Sequence, residues 1–242
     1  MVPTGLHASL VLTLAACLAA PALAAGDGPW SSSAALALLT ASGNSTTTSG
    51  SVKLETTRER HGHDRITFKA GGLYNHSDGV DTAEQENASG QYDFFHTERT
   101  YSLYSLLAER DAFAGFDYRL TTRVGLGHEF FKDANDRLLG ETGLDYVYEK
   151  KEPEAEAFPA ARVYGKWLHT FREGIVFSQD AEFLENLSEM ADLRVNTLTA
   201  LEVALAPHLS LKTSLTMNYD ALPTEGKKTT DLYTATALVV TY

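Results

Sequence analysis

Cysteine is almost missing from this chain: Cys17 is the single one in 242 residues. It lies inside an N-terminal apolar run, so the remainder has no thiol for a disulfide, a thiolate metal site or a cysteine nucleophile. Past residue 24, no stretch approaches the roughly 20 consecutive apolar residues that a membrane-spanning helix requires. Basic charge is scarce too, with 20 Lys and Arg against 32 Asp and Glu and a formal net charge of −12. Binding a phosphate backbone generally needs a basic patch, and none is visible, so nucleic acid is excluded as a partner. No linker, low-complexity block or long charge run divides the chain.

What is present starts with residues 10–24, an uncharged apolar run ending in Ala22-Leu23-Ala24, the small-residue pattern that a signal peptidase reads. Residues 1–24 are therefore read as a cleaved signal peptide and residues 25–242 as one outer-membrane β-barrel domain. Residues 1–7 hold no Lys or Arg, and Leu14-Ala15-Ala16-Cys17 resembles a lipobox that would make Cys17 a lipidated first residue. The apolar run continues past Cys17 to the Ala24 site, which makes cleavage there the preferred reading.

Beyond residue 24 the dominant signal is period two. Residues 193–205 set Leu193, Val195, Thr197, Thr199, Leu201, Val203 and Leu205 on one face against Arg194, Asn196, Leu198, Ala200 and Glu202 on the other. The same alternation runs from Tyr118 to Leu126 and from Leu209 to Tyr219. A helix would place apolar residues at three-and-four spacing, which these stretches do not. About twelve such segments are expected, starting near residues 30, 45, 65, 87, 100, 117, 138, 161, 175, 193, 209 and 229. That gives about 18 residues per strand and connection, which suits bilayer-crossing strands, and an even number suits a closed barrel.

The fold class expected is therefore all-β: a single antiparallel transmembrane β-barrel of about 12 strands in the bacterial outer membrane. Long outer loops are expected at residues 77–86, 150–160 and 221–228. Short periplasmic turns are expected at Thr97-Glu98-Arg99, Arg172-Glu173-Gly174 and Ala206-Pro207-His208, with a longer one at residues 131–137. Trp30, Tyr74, Tyr101, Tyr118, Tyr146, Trp167 and Tyr219 fall near strand ends, as interfacial girdles require. The ending Leu238, Val240, Tyr242 is similar to the terminal signal read by the barrel-insertion machinery, which with outer-membrane lipid makes up the expected partners. Residues 180–191 also fit a short helix, since Glu, Leu and Met favour one.

Particular residues carry a family resemblance. Glu109-Arg110-Asp111, Phe113, Gly115, Asp117 and Arg119, then Gly125-Leu126-Gly127, then Glu141, Gly143 and Tyr146 form a central block. Trp30 with Gly43-Asn44-Ser45 stands at one end, and Tyr219-Asp220, Pro223, Gly226, Lys228 and Asp231 at the other. Together they resemble the family of unknown function numbered 481, whose YdiY-like members are called salt-induced outer-membrane proteins. The resemblance implies an outer-membrane barrel with a link to salt or osmotic stress, and it brings no catalytic residues to carry over.

Candidate chemistry is sparse. Tyr74-Asn75-His76-Ser77-Asp78-Gly79 resembles a stretch of outer-membrane phospholipase A, a barrel with a Ser-His-Asn site. An imidazole must reach the hydroxyl it deprotonates, which on one strand means spacing two, and His76 and Ser77 are adjacent. A bulge would be needed, and a polar loop entry is the plainer reading. Asp78, Asp81, Glu84 and Glu86 are oxygen-rich, yet they lack the EF-hand spacing, so no metal site is assigned. Charges on the faces assigned to the lumen are Arg119, Arg123, Glu141, Asp145, Lys166 and Arg194, with Asp180, Glu182 and Lys212. Unpaired burial of such groups is costly, so cross-strand pairing is expected, with Arg119 or Arg123 to Glu141 as the first guess. No cofactor is implied. The reading that results is a non-enzymatic barrel, structural or weakly pore-forming. The alternatives are a lipid-modifying barrel enzyme of phospholipase or deacylase type, and a lipocalin-like binder whose eight strands are too few.

Overall fold

The computed structural model describes residues 30–41, 47–60, 62–77, 80–111, 116–151, 154–223 and 226–242. Residues 1–24, expected to be a signal peptide and holding Cys17, and Gly43, Asn44, Ser45, Asp78, Gly79, Phe113 and Gly115, lie outside the described residues.

Twelve strands follow one another along the chain: β1 Trp30–Ala41, β2 Thr47–Arg60, β3 Asp64–Ser77, β4 Val80–Phe95, β5 Thr100–Asp111 and β6 Phe116–Lys132. They continue as β7 Asp136–Lys151, β8 Glu154–Arg172, β9 Ile175–Asn186, β10 Leu193–Ala206, β11 Leu209–Asp220 and β12 Thr230–Thr241. Each pairs antiparallel with its chain neighbours, and β1 pairs with β12 to close the barrel. At the seam, Ser32 and Tyr242 exchange backbone hydrogen bonds of 2.9 Å in both directions. The described seam runs over four residue pairs, from Ser33↔Thr241 to Leu36↔Leu238, and closure of this kind is what lets a sheet stand in hydrocarbon.

The alternation seen in the sequence sorts side chains between the two faces. Leu38, Leu106, Leu126, Leu144, Val163 and Leu232 point outward and are all more than half exposed. Leaving so many large apolar groups in water would be untenable for a soluble protein, whereas a bilayer covers them. The barrel is an outer-membrane protein by this criterion.

The described residues correct several expectations about the ends. Strands β4 and β8 begin at Val80 and Glu154, seven residues earlier than their apolar signals at 87 and 161. The long loops expected at 77–86 and 150–160 are therefore mostly strand. Their outward positions are mostly polar or small, because the wall rises above the hydrocarbon zone and needs no continuous apolar face, while inward Phe158 packs against Val147 and Ala160. The turn expected to be long, at 131–137, is short, because β6 runs to Lys132 and β7 starts at Asp136. Residues 180–191 form no helix: β9 carries the chain to Asn186, and the Asn186 side chain then caps the turn by accepting from the Ser188 amide at 2.9 Å. The connection from 221 to 229 remains the longest on the outer side. On the periplasmic side, the β8–β9 turn uses Gly174 at φ +78°, a conformation open to glycine.

Candidate functional site

Which side chains enter the lumen is settled by ion pairs that reach past intervening strands. Arg65 of β3 meets Glu129 of β6 at 3.4 Å, Arg123 of β6 meets Glu182 of β9 at 3.2 Å, and Arg194 of β10 meets Glu149 of β7 at 3.0 Å. Two strands separate the partners each time, so the contact crosses the interior. Alternation then places every second residue of these strands on the same face.

One wall of that interior is sealed by charge. Arg119 pairs with Glu149 and, at 3.8 Å, with Glu109, and its guanidinium lies 4.0 Å over the Phe116 ring. Arg123 forks onto Asp145 at 2.7 and 2.9 Å. Glu141 accepts from Arg162 at 2.9 Å and from Tyr101 at 3.0 Å. Arg194 reaches Asp192 at 3.2 Å besides Glu149, and Lys166 faces Asp180 at 3.8 Å. Each sequence candidate is thus paired, but the guessed pair of Arg119 or Arg123 with Glu141 is not formed. Register explains it: Arg119 lies opposite Glu149 and Arg123 opposite Asp145, while Glu141 lies opposite Gly127 and Tyr164 and is taken by Arg162. The carboxylates of Asp145 and Glu149 have no exposure at all.

Glycine lets this wall close. Tyr101 lies across Gly127, where a Cβ would come within 2.2 Å of its ring, and that bed directs its hydroxyl to Glu141. Gly125 and Gly143 face each other, and a Cβ on either would stand about 2.5 Å from the partner strand's carbonyl oxygens. Tyr101 is fully buried, so its expected place in the interfacial girdle is corrected: it faces the lumen. Trp30, Tyr74, Tyr118, Tyr146 and Trp167 are exposed on the outward face near strand ends.

The opposite wall, from β11 through β12 and β1 to β3, is different. Its inward positions are small, among them Ala35, Ala37, Ser214, Thr216, Ala235 and Ala237, and all of these are only partly buried although the barrel encloses them. Inward-facing Lys53, Glu55 and Lys69 are exposed. Accessible surface inside a closed wall means open space beside it. Lys69 meets Glu55 and Lys212 meets Glu202, both at 3.7 Å. Lys53 has no ion-pair partner among the described residues and feels Lys212 and Asp180 through space. Toward the outer end, Gln85 donates to Asp111 at 2.7 Å and to the Tyr233 hydroxyl at 3.1 Å, a strut from β4 to β12 that narrows the mouth.

The hydrolase geometry does not assemble. A register shift does occur beside His76, but the extra residue is Thr82 on β4, so β3 keeps its alternation and His76 and Ser77 point to opposite faces. The His76 ring stacks on outward-facing Tyr74, with centroids 6.4 Å apart. Of the acidic residues, Glu84 and Glu86 share Arg110 at 3.0 and 3.9 Å. No group of metal-ligating side chains occurs among the described residues.

Several interior residues escaped the sequence reading: Arg65, Asp93, Glu129, Glu149 and Arg162. Glu149 and Arg162 border the segment taken for a loop at 150–160, and extending the alternation of Tyr164 and Lys166 by one step would have found Arg162.

A family model described as "Protein of unknown function, DUF481" matches residues 34–242. No curated protein matches the sequence. Among solved structures the barrel is similar to the NanC porin at TM-score 0.50 and 8% identity, covering 87% of this chain and 97% of that one. It is also similar to the translocator domain of autotransporter NalP from Neisseria meningitidis, at TM-score 0.48 and 10% identity over 97% and 95% of the two chains. The KdgM porin in complex with disordered oligogalacturonate gives TM-score 0.48 and 7% identity over 88% and 98%. At such identities the likeness is one of fold.

Proposed function

The chain belongs to the DUF481 family of proteins of unknown function, and from that premise we propose that it is a non-enzymatic, narrow, water-filled pore of the outer membrane whose path runs off-centre. The observation that carries this reading is the contrast between the two interior walls. A plugged barrel would bury its small inward residues on every side, yet Ala35 and Ala37 of β1, Ser214 of β11 and Ala235 and Ala237 of β12 keep accessible surface, while Ala160 of β8 and Ala200 of β10 are buried.

A solute in such a path would pass along small polar side chains with Lys53, Lys69 and Lys212 as the protruding charges. Small ions and water fit this lining, and a leak of that kind would couple the periplasm to outside salt, which supplies the link to osmotic stress. Arg119, Arg123, Glu141, Asp145 and Arg194 then act as the rigid filler that narrows the lumen, and Lys166 with Asp180 stands at the border of the path.

Residues 1–24 are the segment we assign as a signal peptide, cleaved after Ala24; the intact mass of protein extracted from outer membranes tests this. The terminal strand ending at Tyr242 is the segment we assign to recognition by the barrel-insertion machinery, since it makes the closing seam with β1.

The test of the function is single-channel recording of the refolded protein in a planar bilayer. Small discrete conductance steps that scale with salt are expected. Silence from a protein shown to be folded and inserted would overturn the pore and leave a structural barrel.

A further inference from the structure

At the periplasmic rim, the outward face carries histidines among its aromatic residues. His96 packs edge-on against Phe94, His128 against Phe130 and His169 against Phe171, with centroids 4.7 to 5.3 Å apart. His208 stacks on Tyr242. Each imidazole has one nitrogen held by the barrel itself, by Ser102, Thr100, Asp136 and the Thr241 carbonyl respectively. The second nitrogen of each ring has no partner among the described residues.

The richest of these positions is on β7 and β8. His169 Nδ1 lies 2.8 Å from Asp136 Oδ1, and Trp167 Nε1 donates to the same oxygen at 3.0 Å. Both groups use Oδ1, so Oδ2 stays without a hydrogen bond among the described residues. Because a carboxylate oxygen only accepts, His169 Nδ1 carries the proton, and in the neutral form of the ring Nε2 is then an acceptor. Phe171, 62% exposed, and Trp167, 42% exposed, supply two aromatic faces beside these acceptors. Phe177 of β9 braces Trp167 at 5.6 Å.

We propose that Asp136, Trp167, His169 and Phe171 form a headgroup site for an inner-leaflet phospholipid that carries a primary ammonium. Three features call for that chemistry. A free carboxylate oxygen attracts a cation, exposed rings bind one through their faces, and the free Nε2 acceptor asks for an N–H donor. A quaternary headgroup meets the first two demands and fails the third. An anionic headgroup is repelled by Asp136. The place fits as well: a rim with short turns and both barrel ends is the periplasmic one, where the neighbouring lipids are phospholipids.

The test uses the full refolded barrel in nanodiscs containing equal amounts of phosphatidylethanolamine, phosphatidylcholine and phosphatidylglycerol with identical acyl chains, read by native mass spectrometry at pH 8. Retained lipid should favour ethanolamine over choline by about fivefold, the worth of one net hydrogen bond. His169→Phe keeps an aromatic ring and removes the nitrogens, so it should bring ethanolamine down to the level of choline while the barrel keeps its folded electrophoretic mobility. Asp136→Asn should release the exclusion of phosphatidylglycerol. Equal retention of ethanolamine and choline by the wild type overturns the site without recourse to any variant. An ethanolamine preference that survives His169→Phe in a folded barrel overturns it equally.

Discussion

Two halves of one interior handle charge in opposite ways. From β6 to β10 the sealed cations are arginines: the Arg162 side chain is 4% exposed and the Glu149 carboxylate that Arg119 and Arg194 share not at all, whereas the lysines there, Lys132 and Lys166, keep more exposure at 44% and 28%. On the open side the cations are Lys53, Lys69 and Lys212, with Lys69 and Glu55 48% and 46% exposed across a 3.7 Å gap, while Arg65 at the periplasmic end of β3 joins the sealed set through Asp93 and Glu129. The partition follows the chemistry of the two groups. A planar guanidinium satisfies several carboxylate oxygens at once and stacks on rings, as Arg119 does on Phe116, so it survives desolvation. A compact ammonium holds its water and suits a wall that stays wet. The lesson is that a barrel can be filled and open at the same level of the membrane, with the choice written in residue type.

The comparison breaks or holds most plainly on stability. Glu149→Ala leaves Arg119 and Arg194 short of a buried partner and should cost about 3–5 kcal/mol, whereas Glu55→Ala on the wet wall should cost no more than about 1 kcal/mol. Heat-induced loss of folded electrophoretic mobility in lipid measures both, and equal losses would erase the distinction. Next in size is packing: Gly127→Val drives a side chain into Tyr101 and should cost about 1–3 kcal/mol, while Ser214→Val, beside open space, should leave the midpoint nearly unmoved.

Function sharpens the contrast further. Lys53→Glu changes the path by two charges. At roughly 8 Å in water that is on the order of 1 kcal/mol for a monovalent ion, or about a fivefold drop in local anion concentration. The reversal potential in a salt gradient should move toward cation preference with stability unchanged. The same swap of sign at sealed Arg162 should instead prevent folding. The smallest effect expected is from Gln85→Ala, which removes the strut to Tyr233 and should raise conductance modestly; an unchanged value would show that the mouth is not the narrow point.

Much of the fold was legible because membrane strands obey a strict binary rule. The seam strand, the short turns at 97–99 and 206–208 and most strand starts all follow from alternation and from the polar or proline residues that interrupt it. Legibility failed where the outer environment changes. Residues 80–86 and 154–160 stand above the hydrocarbon, so Glu84, Glu86 and Glu156 occupy strand positions that alternation cannot flag. Residues 180–191 misled because Phe183, Leu184, Leu187, Met190 and Ala191 also fit the three-and-four spacing of a helix. Inward faces were recognised from parity, but pairing was not, since a register offset of four residues, which leaves the faces unchanged, decides whether Arg123 meets Asp145 or Glu141. Tyr101 shows the deeper limit: an aromatic at a strand end reads as girdle, and only Gly127 on the adjacent strand, offering a bed for its ring, turns it inward.

The absence of cysteine from residues 30–242 makes one direct measurement possible. Single variants Ala235→Cys on the open wall and Ala160→Cys on the sealed one place matched inward thiols on opposite sides of the lumen. Treated in lipid vesicles with a small charged thiol reagent, Ala235→Cys should react quickly and lose conductance, and Ala160→Cys should stay unmodified. Equal labelling of the two, or labelling of position 160 alone, would contradict an off-centre water path.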